Sequence, residues 1–313
     1  MNLLYYLLKS ARPRQWLKNL SLFAAIVFSG QLFDRELFLK VSWAVVLFTV
    51  ITSSVYLFND IIDAPQDRLH PFKRKRPIAA GLLPVPVALA VACLGFFGAL
   101  LLAANASAYF FFSCLGYVLL HIGYGLWLKK IPIIDVLTIA SGFILRVYAG
   151  SFVIDAHMNV WFLLTVVSAA LFLAVGKRRS EMTLLTSVGL AASEHRKVLG
   201  HYTPTLLDVY TGMFANTTWL AYTFFSFLQP PFLPTRPKLV GLWANLPPTL
   251  SAQKLLMITV PVVIYGVMRY LQLIYERNQG ESPERVLLSD RPLLGSVLLW
   301  GFMVVVILYV LPG

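Results

Sequence analysis

The chain has 313 residues, of which 58% are hydrophobic and 13% charged, and its mean hydropathy is +0.73. A water-soluble globule of this length would carry more charge at its surface, so the composition excludes a soluble enzyme and marks an all-α integral membrane protein. The formal net charge of +12 calls for no nucleic-acid partner, because membrane topology and contact with anionic membrane lipids account for an excess of cations.

Apolar runs of about twenty residues read as spans. Nine occur in chain order, at 14 to 33, 38 to 62, 84 to 104, 107 to 128, 132 to 154, 158 to 176, 205 to 228, 252 to 275 and 293 to 311. The first has the basic flank and apolar centre of a signal peptide, but the eight spans behind it favour an uncleaved helix. With the N-terminus in the cytoplasm, 20 of the 26 Lys and Arg residues fall on the cytoplasmic side, as the positive-inside rule requires. The segment from Gln229 to Leu250, with six prolines, cannot be a membrane helix and is expected on the far surface with Trp243 at the interface. Cys93 and Cys114 lie within spans without a CxxC pattern and read as packing residues, and no histidine has the spacing of a zinc ligand. No internal repeat or linker divides the chain, so residues 1–313 read as one transmembrane domain.

Polar chemistry gathers in three places. The first runs from Asn59 to Gly81. The carboxylates of Asp60, Asp63 and Asp67 suit Mg²⁺, which takes one or two protein carboxylates and completes its shell with water and phosphate oxygens. Lys73, Arg74, Lys75 and Arg76 follow and can balance phosphate charge. On an ideal helix Asn59, Asp60, Asp63 and Asp67 span about 100° of one face. Pro65 disfavours a continuous helix, so a bend is expected to deliver Asp67.

The second place runs from Tyr124 to Asp135, with Pro132 at the first turn of a helix whose dipole favours the Asp135 carboxylate. Arg146 follows eleven residues later on the same helical face, about 16 Å along the axis. A guanidinium inside the bilayer must meet a polar cavity or a partner, which makes Arg146 a functional candidate. The third place, Gly176 to Glu181, closes the sixth span with Lys177, Arg178 and Arg179, residue types that ordinarily serve the helix dipole and topology. Cytoplasmic caps are expected at about 63–83 and 177–204, the latter long enough to shield a reactive donor from water.

The spacing of Asn59, Asp63 and Asp67 resembles the Asn-x-x-x-Asp-x-x-x-Asp motif of the UbiA prenyltransferase superfamily. More narrowly, Arg12-Pro13-x-Gln15-Trp16-x-Lys18-Asn19, the run from His70 to Gly81, Leu128-Lys129-x-x-Pro132-x-x-Asp135, Gly142-Phe143-x-Leu145-Arg146, Gly176-Lys177-Arg178 and Asp290-Arg291-Pro292 resemble its decaprenyl-phosphate phosphoribosyltransferase branch. Pro65 departs from the pattern, and no Asp-x-x-x-Asp follows Tyr124, so the second acidic motif of the aromatic prenyltransferases is missing. The resemblance implies nine helices in a bundle with cytoplasmic caps, in the plasma (inner) membrane, with a site facing the cytoplasm. It implies Mg²⁺-dependent transfer of 5-phosphoribose from phosphoribosyl pyrophosphate to a polyprenyl phosphate. Asp60, Asp63 and Asp67 would be the metal ligands, and Lys18 and Asn19 would join them in catalysis. Asn59, Lys73, Arg74, Arg76, Tyr124, Lys129, Asp135, Arg146, Lys177 and Arg178 would bind substrate. Prenylation of an aromatic acceptor is the alternative within the superfamily, and a transporter or scaffold the alternative outside it. The sequence leaves the oligomeric state open, a homo-oligomer included.

Overall fold

The computed structural model describes residues 3–69, 73–187, 197–229, 252–277, 280 and 282–310. Eleven α-helices carry these residues: α1 Leu3–Ser10, α2 Phe23–Phe28, α3 Arg35–Leu69, α4 Val85–Ala106, α5 Ala108–Leu126, α6 Ile134–Val153, α7 Val160–Ser187, α8 Pro204–Leu228, α9 Val260–Tyr275, α10 Pro283–Ser289 and α11 Arg291–Val305. Short 3-10 stretches include Pro13–Leu22, Lys73–Lys75, Leu128–Lys130, Lys197–His201 and Ala252–Thr259. Local chemistry starts several helices. The Thr203 hydroxyl accepts from the Leu206 N–H ahead of α8, and the Asp290 carboxylate accepts from the Leu293 N–H ahead of α11, each with a proline in the first turn.

Among the described residues seven helical segments are long and apolar enough to cross a membrane: Arg35–Arg68, Val85–Ala106, Ala108–Leu126, Ile134–Val153, Val160–Leu184, Lys254–Tyr275 and Arg291–Val310. The protein is therefore integral to a membrane. The expected count of nine differs for two local reasons. The first apolar run is broken into the ten-residue 3-10 stretch Pro13–Leu22 and the six-residue α2, with Trp16 and Asn19 bonded sideways to α3. Helix α8 has the expected 25 residues, but Asp208, Asn216 and its threonines lower its hydropathy.

Two further expectations are corrected. Pro65 does not bend Asp67 out of register, because α3 stays helical to Leu69. The proline removes the one N–H that would bond the Ile61 carbonyl, and the helix continues four residues past it. Helix α7 does not stop at Gly176 but runs on to Ser187, so Lys177, Arg178 and Arg179 lie within it. His70 and Pro71 of the first motif, the 188–196 portion of the second cap, and Trp243 with residues 230–251 lie outside the described residues.

The helices group into two compact units, each with its own core. The first comprises Met1–Ile26, Gln31–Leu128 and Leu145–Ala156, and the second Val27–Gly30, Lys129–Ile144 and His157–Gly313. In the first unit α3 packs on α4 and α5 around Phe48, Ile51, Val55, Phe110 and Tyr117. A Cβ on Gly150 of α6 would lie 2.0 Å from the Leu22 carbonyl oxygen, so only glycine lets these backbones meet. A second cluster, with Leu57, Ala64, Ile78 and Leu83, pins the turn that follows Arg76 to α3. Gly81, at φ 72, closes that turn in the conformation glycine tolerates best. In the second unit α7 packs along α8, and α9 against α11 and α8. Its cores centre on Ala170, Ala174, Val175 and Leu207, and on Phe172, Tyr270, Leu273 and Ile274.

Candidate active site

In the first unit the end of α3 brings two carboxylates onto one cation. Seven residues return an ideal helix to within about 20° of the same face, so Asp60 and Asp67 nearly coincide, whereas Asp63 is offset from them by about 60° and 40°. Arg76 Nη1 donates to Asp67 Oδ2 at 2.7 Å and to Asp60 Oδ1 at 3.2 Å. Arg12 Nη2 donates to the same Asp60 oxygen at 2.6 Å, with its guanidinium 4.9 Å from the centroid of the Tyr56 ring. Asp60 and Asp67 are buried, and half-buried Asp63 makes no hydrogen bond or ion pair to another described residue.

The backbone delivers Arg12 at some cost. It is left-handed at φ 55 and ψ 65, a conformation uncommon for a residue with a side chain. The Trp16 indole N–H holds this corner, reaching the Ala11 carbonyl at 3.1 Å and the Ser53 hydroxyl at 3.0 Å. Lys73 and Arg74 are exposed, and Lys18, Asn59 and Tyr124 are half-buried. Asn59 Oδ1 lies 3.8 Å from where a Cβ on Gly125 would stand, so this amide faces α5.

Among the described residues no group of three or more His, Cys, Asp or Glu side chains is close enough to hold a metal ion, so Asp60, Asp63 and Asp67 do not form a preassembled trio. The donor set still suits Mg²⁺. Hard oxygens from two carboxylates converge on one cationic nitrogen, and Mg²⁺ needs only one or two carboxylates beside water and phosphate.

Arg146, 4% exposed, belongs to a different network of the same unit. Its Nε donates to Asn19 Oδ1 at 2.9 Å and its Nη2 to the Tyr117 hydroxyl at 2.8 Å. Asn19 Nδ2 in turn donates to Thr49 and Thr52 at 3.0 and 3.2 Å. The guanidinium lies 4.8 Å from the Tyr117 ring centroid and 5.8 Å from that of Phe48. Arg146 thus fixes Asn19 and the 3-10 stretch that carries Lys18.

In the second unit a sealed cluster forms at the start of α6. Asp135 and Arg178 both have 0% exposure, with Arg178 Nε donating to Asp135 Oδ2 at 2.7 Å. Arg178 Nη1 also donates to Glu181 Oε2 at 2.6 Å. The Tyr202 hydroxyl donates to Asp135 Oδ1 at 2.7 Å and accepts from the Ile133 N–H at 2.6 Å. Ile133 is at φ 69, a true outlier for a β-branched residue. Burial raises the pKa of the Tyr202 hydroxyl, the Ile133 N–H opposes the shift, and the adjacent Asp135 carboxylate adds to it.

The sequence placed Asp135 and Arg178 among the substrate ligands, but the structure turns them onto each other, leaving no surface for a ligand in this conformation. Lys177, 38% exposed with its Nζ 3.9 Å from Glu181 Oε1, and half-buried Lys129 are less enclosed. Four participants were missing from the site reading: Arg12, Tyr117, Glu181 and Tyr202. Arg12 stood in the first quoted motif without a role, and Glu181 left a local signal three residues after Arg178 on one helix face.

The family model that matches is the UbiA prenyltransferase family, over residues 20–289. The chain is 34% identical to a Corynebacterium glutamicum protein named decaprenyl-phosphate phosphoribosyltransferase, across 99% of the chain and 89% of that protein. A Mycolicibacterium smegmatis protein of the same name is also 34% identical, across 96% and 91%. Among solved structures, a UbiA homolog from Archaeoglobus fulgidus bound to DMAPP and Mg²⁺ aligns with a TM-score of 0.65 at 18% identity, covering 96% of each chain.

Proposed function

The chain belongs to the UbiA prenyltransferase family, and we propose that it transfers 5-phosphoribose from phosphoribosyl pyrophosphate to a polyprenyl phosphate, releasing pyrophosphate. One observation favours this over prenyl transfer to an aromatic acceptor. Asp135, the carboxylate that stands where a second acidic motif would lie, is fully buried and held by Arg178 and Tyr202. It has no freedom to bind a second metal, which a prenyl diphosphate donor would call for. The near full-length relatives named decaprenyl-phosphate phosphoribosyltransferase support the same choice.

The donor brings roughly five negative charges near neutral pH. Lys73 and Arg74, both exposed at the turn after α3, would meet part of that charge. Carboxylates at the end of α3 would hold Mg²⁺, which when bound supplies charge neutralisation for the departing pyrophosphate. The acceptor phosphate is already an anion, so the protein needs no general base and contributes orientation and fixed charge around the anomeric carbon. The acceptor's tail would lie along the apolar helix faces. The cation distribution favours the cytoplasmic side for this chemistry, and a plasma-membrane location is part of the same proposal.

Thermal protection of the purified protein tests the donor. Phosphoribosyl pyrophosphate with Mg²⁺ should raise the melting temperature clearly more than geranyl diphosphate with Mg²⁺. The opposite order would hand the site to an aromatic prenyltransferase.

A further inference from the structure

We propose that Arg146 and Asn19 are positioning residues: together they fix the rotation of the 3-10 stretch Pro13–Leu22 about its axis, and that rotation presents Lys18 to the phosphate of the lipid acceptor. This deepens the transferase reading above and rests on it for the acceptor.

A ten-residue 3-10 stretch is unusual, because such runs seldom pass about four residues and their hydrogen bonds are poorer than those of an α-helix. Contacts outside the backbone have to select it. With three residues per turn, side chains three apart eclipse one another, so Trp16, Asn19 and Leu22 share one edge. All three are anchored. The Trp16 indole N–H reaches the Ser53 hydroxyl at 3.0 Å, Asn19 Nδ2 reaches Thr49 and Thr52 at 3.0 and 3.2 Å, and Leu22 is fully buried with its carbonyl against Gly150. In an α-helix each step of three falls about 60° short of a turn, so Trp16 and Leu22 would diverge by about 120° and the flanking anchors would be lost.

Asn19 sets the rotation, because it alone on this edge is held from two sides. Its amide nitrogen is tied to α3, and its Oδ1 accepts from Arg146 Nε at 2.9 Å. Arg146 lies within the span Ile134–Val153, where a guanidinium has to keep its polar partners, so this bond is costly to give up. Arg146 is 4% exposed and Asn19 1%, and neither offers surface to a substrate. The next edge carries Gln15, Lys18 and Ser21, all half-buried, so the surface that Asn19 lacks begins at Lys18.

Depth favours the acceptor over the donor. Trp16 and Asn19 pair with residues 49–53 of α3, which places this backbone about 10–16 Å deeper along that helix than Asp60. The lysine stem lets the ammonium rise from there toward the headgroups. A cation reaching up out of the apolar layer suits an anion tethered to an apolar tail better than a soluble sugar phosphate.

The test measures how much more tightly the full chain in detergent binds farnesyl phosphate than farnesol, a ratio that isolates the phosphate and cancels any loss of tail binding. Lys18→Ala should lower the ratio about tenfold, the worth of one charge-assisted hydrogen bond. Arg146→Met and Asn19→Ala should each lower it about fivefold, with Arg146→Lys recovering only part, because an ammonium lacks the planar fork that holds Asn19 and Tyr117 together. In a Lys18→Ala background the further cost of Arg146→Met or Asn19→Ala should shrink to less than about twofold. Costs that multiply would make Arg146 a phosphate ligand in its own right and overturn the proposal. So would an unchanged ratio in Asn19→Ala, which would leave Asn19 a merely structural group. If Arg146→Met fails to fold by gel filtration, the cycle of Asn19→Ala with Lys18→Ala decides alone. A parent chain that binds farnesyl phosphate no better than farnesol removes the phosphate acceptor from the transferase reading and this proposal with it, whereas a clear parental preference with a multiplicative cycle removes the positioning alone.

Discussion

Asp60 in the first unit and Asp135 in the second each hold an arginine, yet the arginines differ. Arg12 and Arg76 keep 33% and 28% of their side chains exposed, whereas Arg178 keeps none. The acids differ too: Asp60 and Asp67 share one guanidinium, while Asp135 is closed in by Arg178 on one oxygen and Tyr202 on the other. Ionic groups that face partly outward can trade a protein partner for a ligand. The same groups with every oxygen engaged and no exposure form a lock, and opening it would leave a charge buried without a partner.

The largest test of this contrast is Asp67→Asn. It removes a charge from an exchangeable site, so turnover should fall by about three orders of magnitude, as several kcal/mol of metal assistance are lost. The melting temperature should stay near that of the parent, because Arg76 retains Asp60. Chelation should abolish activity and Mg²⁺ restore it. A variant that unfolds instead would erase the distinction between the clusters.

Asp135→Ala should show the converse, a stability loss of about 3–5 kcal/mol in a denaturation assay, because buried Arg178 Nε and the Tyr202 hydroxyl both lose their carboxylate while Arg178 keeps Glu181. Replacing both partners, as Asp135→Leu with Arg178→Met, should recover much of that loss. Near-parent stability of the single variant would mean that the lock is open to water after all.

Smaller still is Tyr202→Phe, at about 1 kcal/mol. The folded Tyr202 hydroxyl has a raised pKa, so its contribution is present below the unfolded value of about 10 and is lost as pH rises beyond it. Melting temperatures measured from about pH 8 to 11 should fall more steeply for the parent than for the variant. Of similar size is Asp290→Ala, which removes the N-cap of α11 and the two hydrogen bonds from Arg269, at about 1–2 kcal/mol by the same measurement. Neither site feeds the exchangeable cluster, so neither variant should alter Mg²⁺ binding.

The spans were legible because a bilayer imposes a length. The runs read at 84 to 104, 107 to 128 and 132 to 154 became α4 at Val85–Ala106, α5 at Ala108–Leu126 and α6 at Ile134–Val153. The chemistry-bearing residue types at the end of α3 were legible for a similar reason, since a cationic run directly after three acids stands out from an apolar background. Their pairing was not. Arg12 meets Asp60 across 48 residues and Tyr202 meets Asp135 across 67, and no periodicity records such a contact. One signal was present and unused: seven residues bring Asp60 and Asp67 within about 20° of each other, which singles out this pair over Asp63.

Helix α3 has 35 residues, about 52 Å of rise, against a hydrocarbon layer of about 30 Å. Its uncharged run from Val41 to Phe58, about 27 Å of rise, nearly fills that layer. The turns from Asn59 onward therefore stand at headgroup height. On the proposed reading, a sugar phosphate arriving from solution and a lipid phosphate sliding in the leaflet would meet there at the same level, and neither anion would have to be drawn into oil.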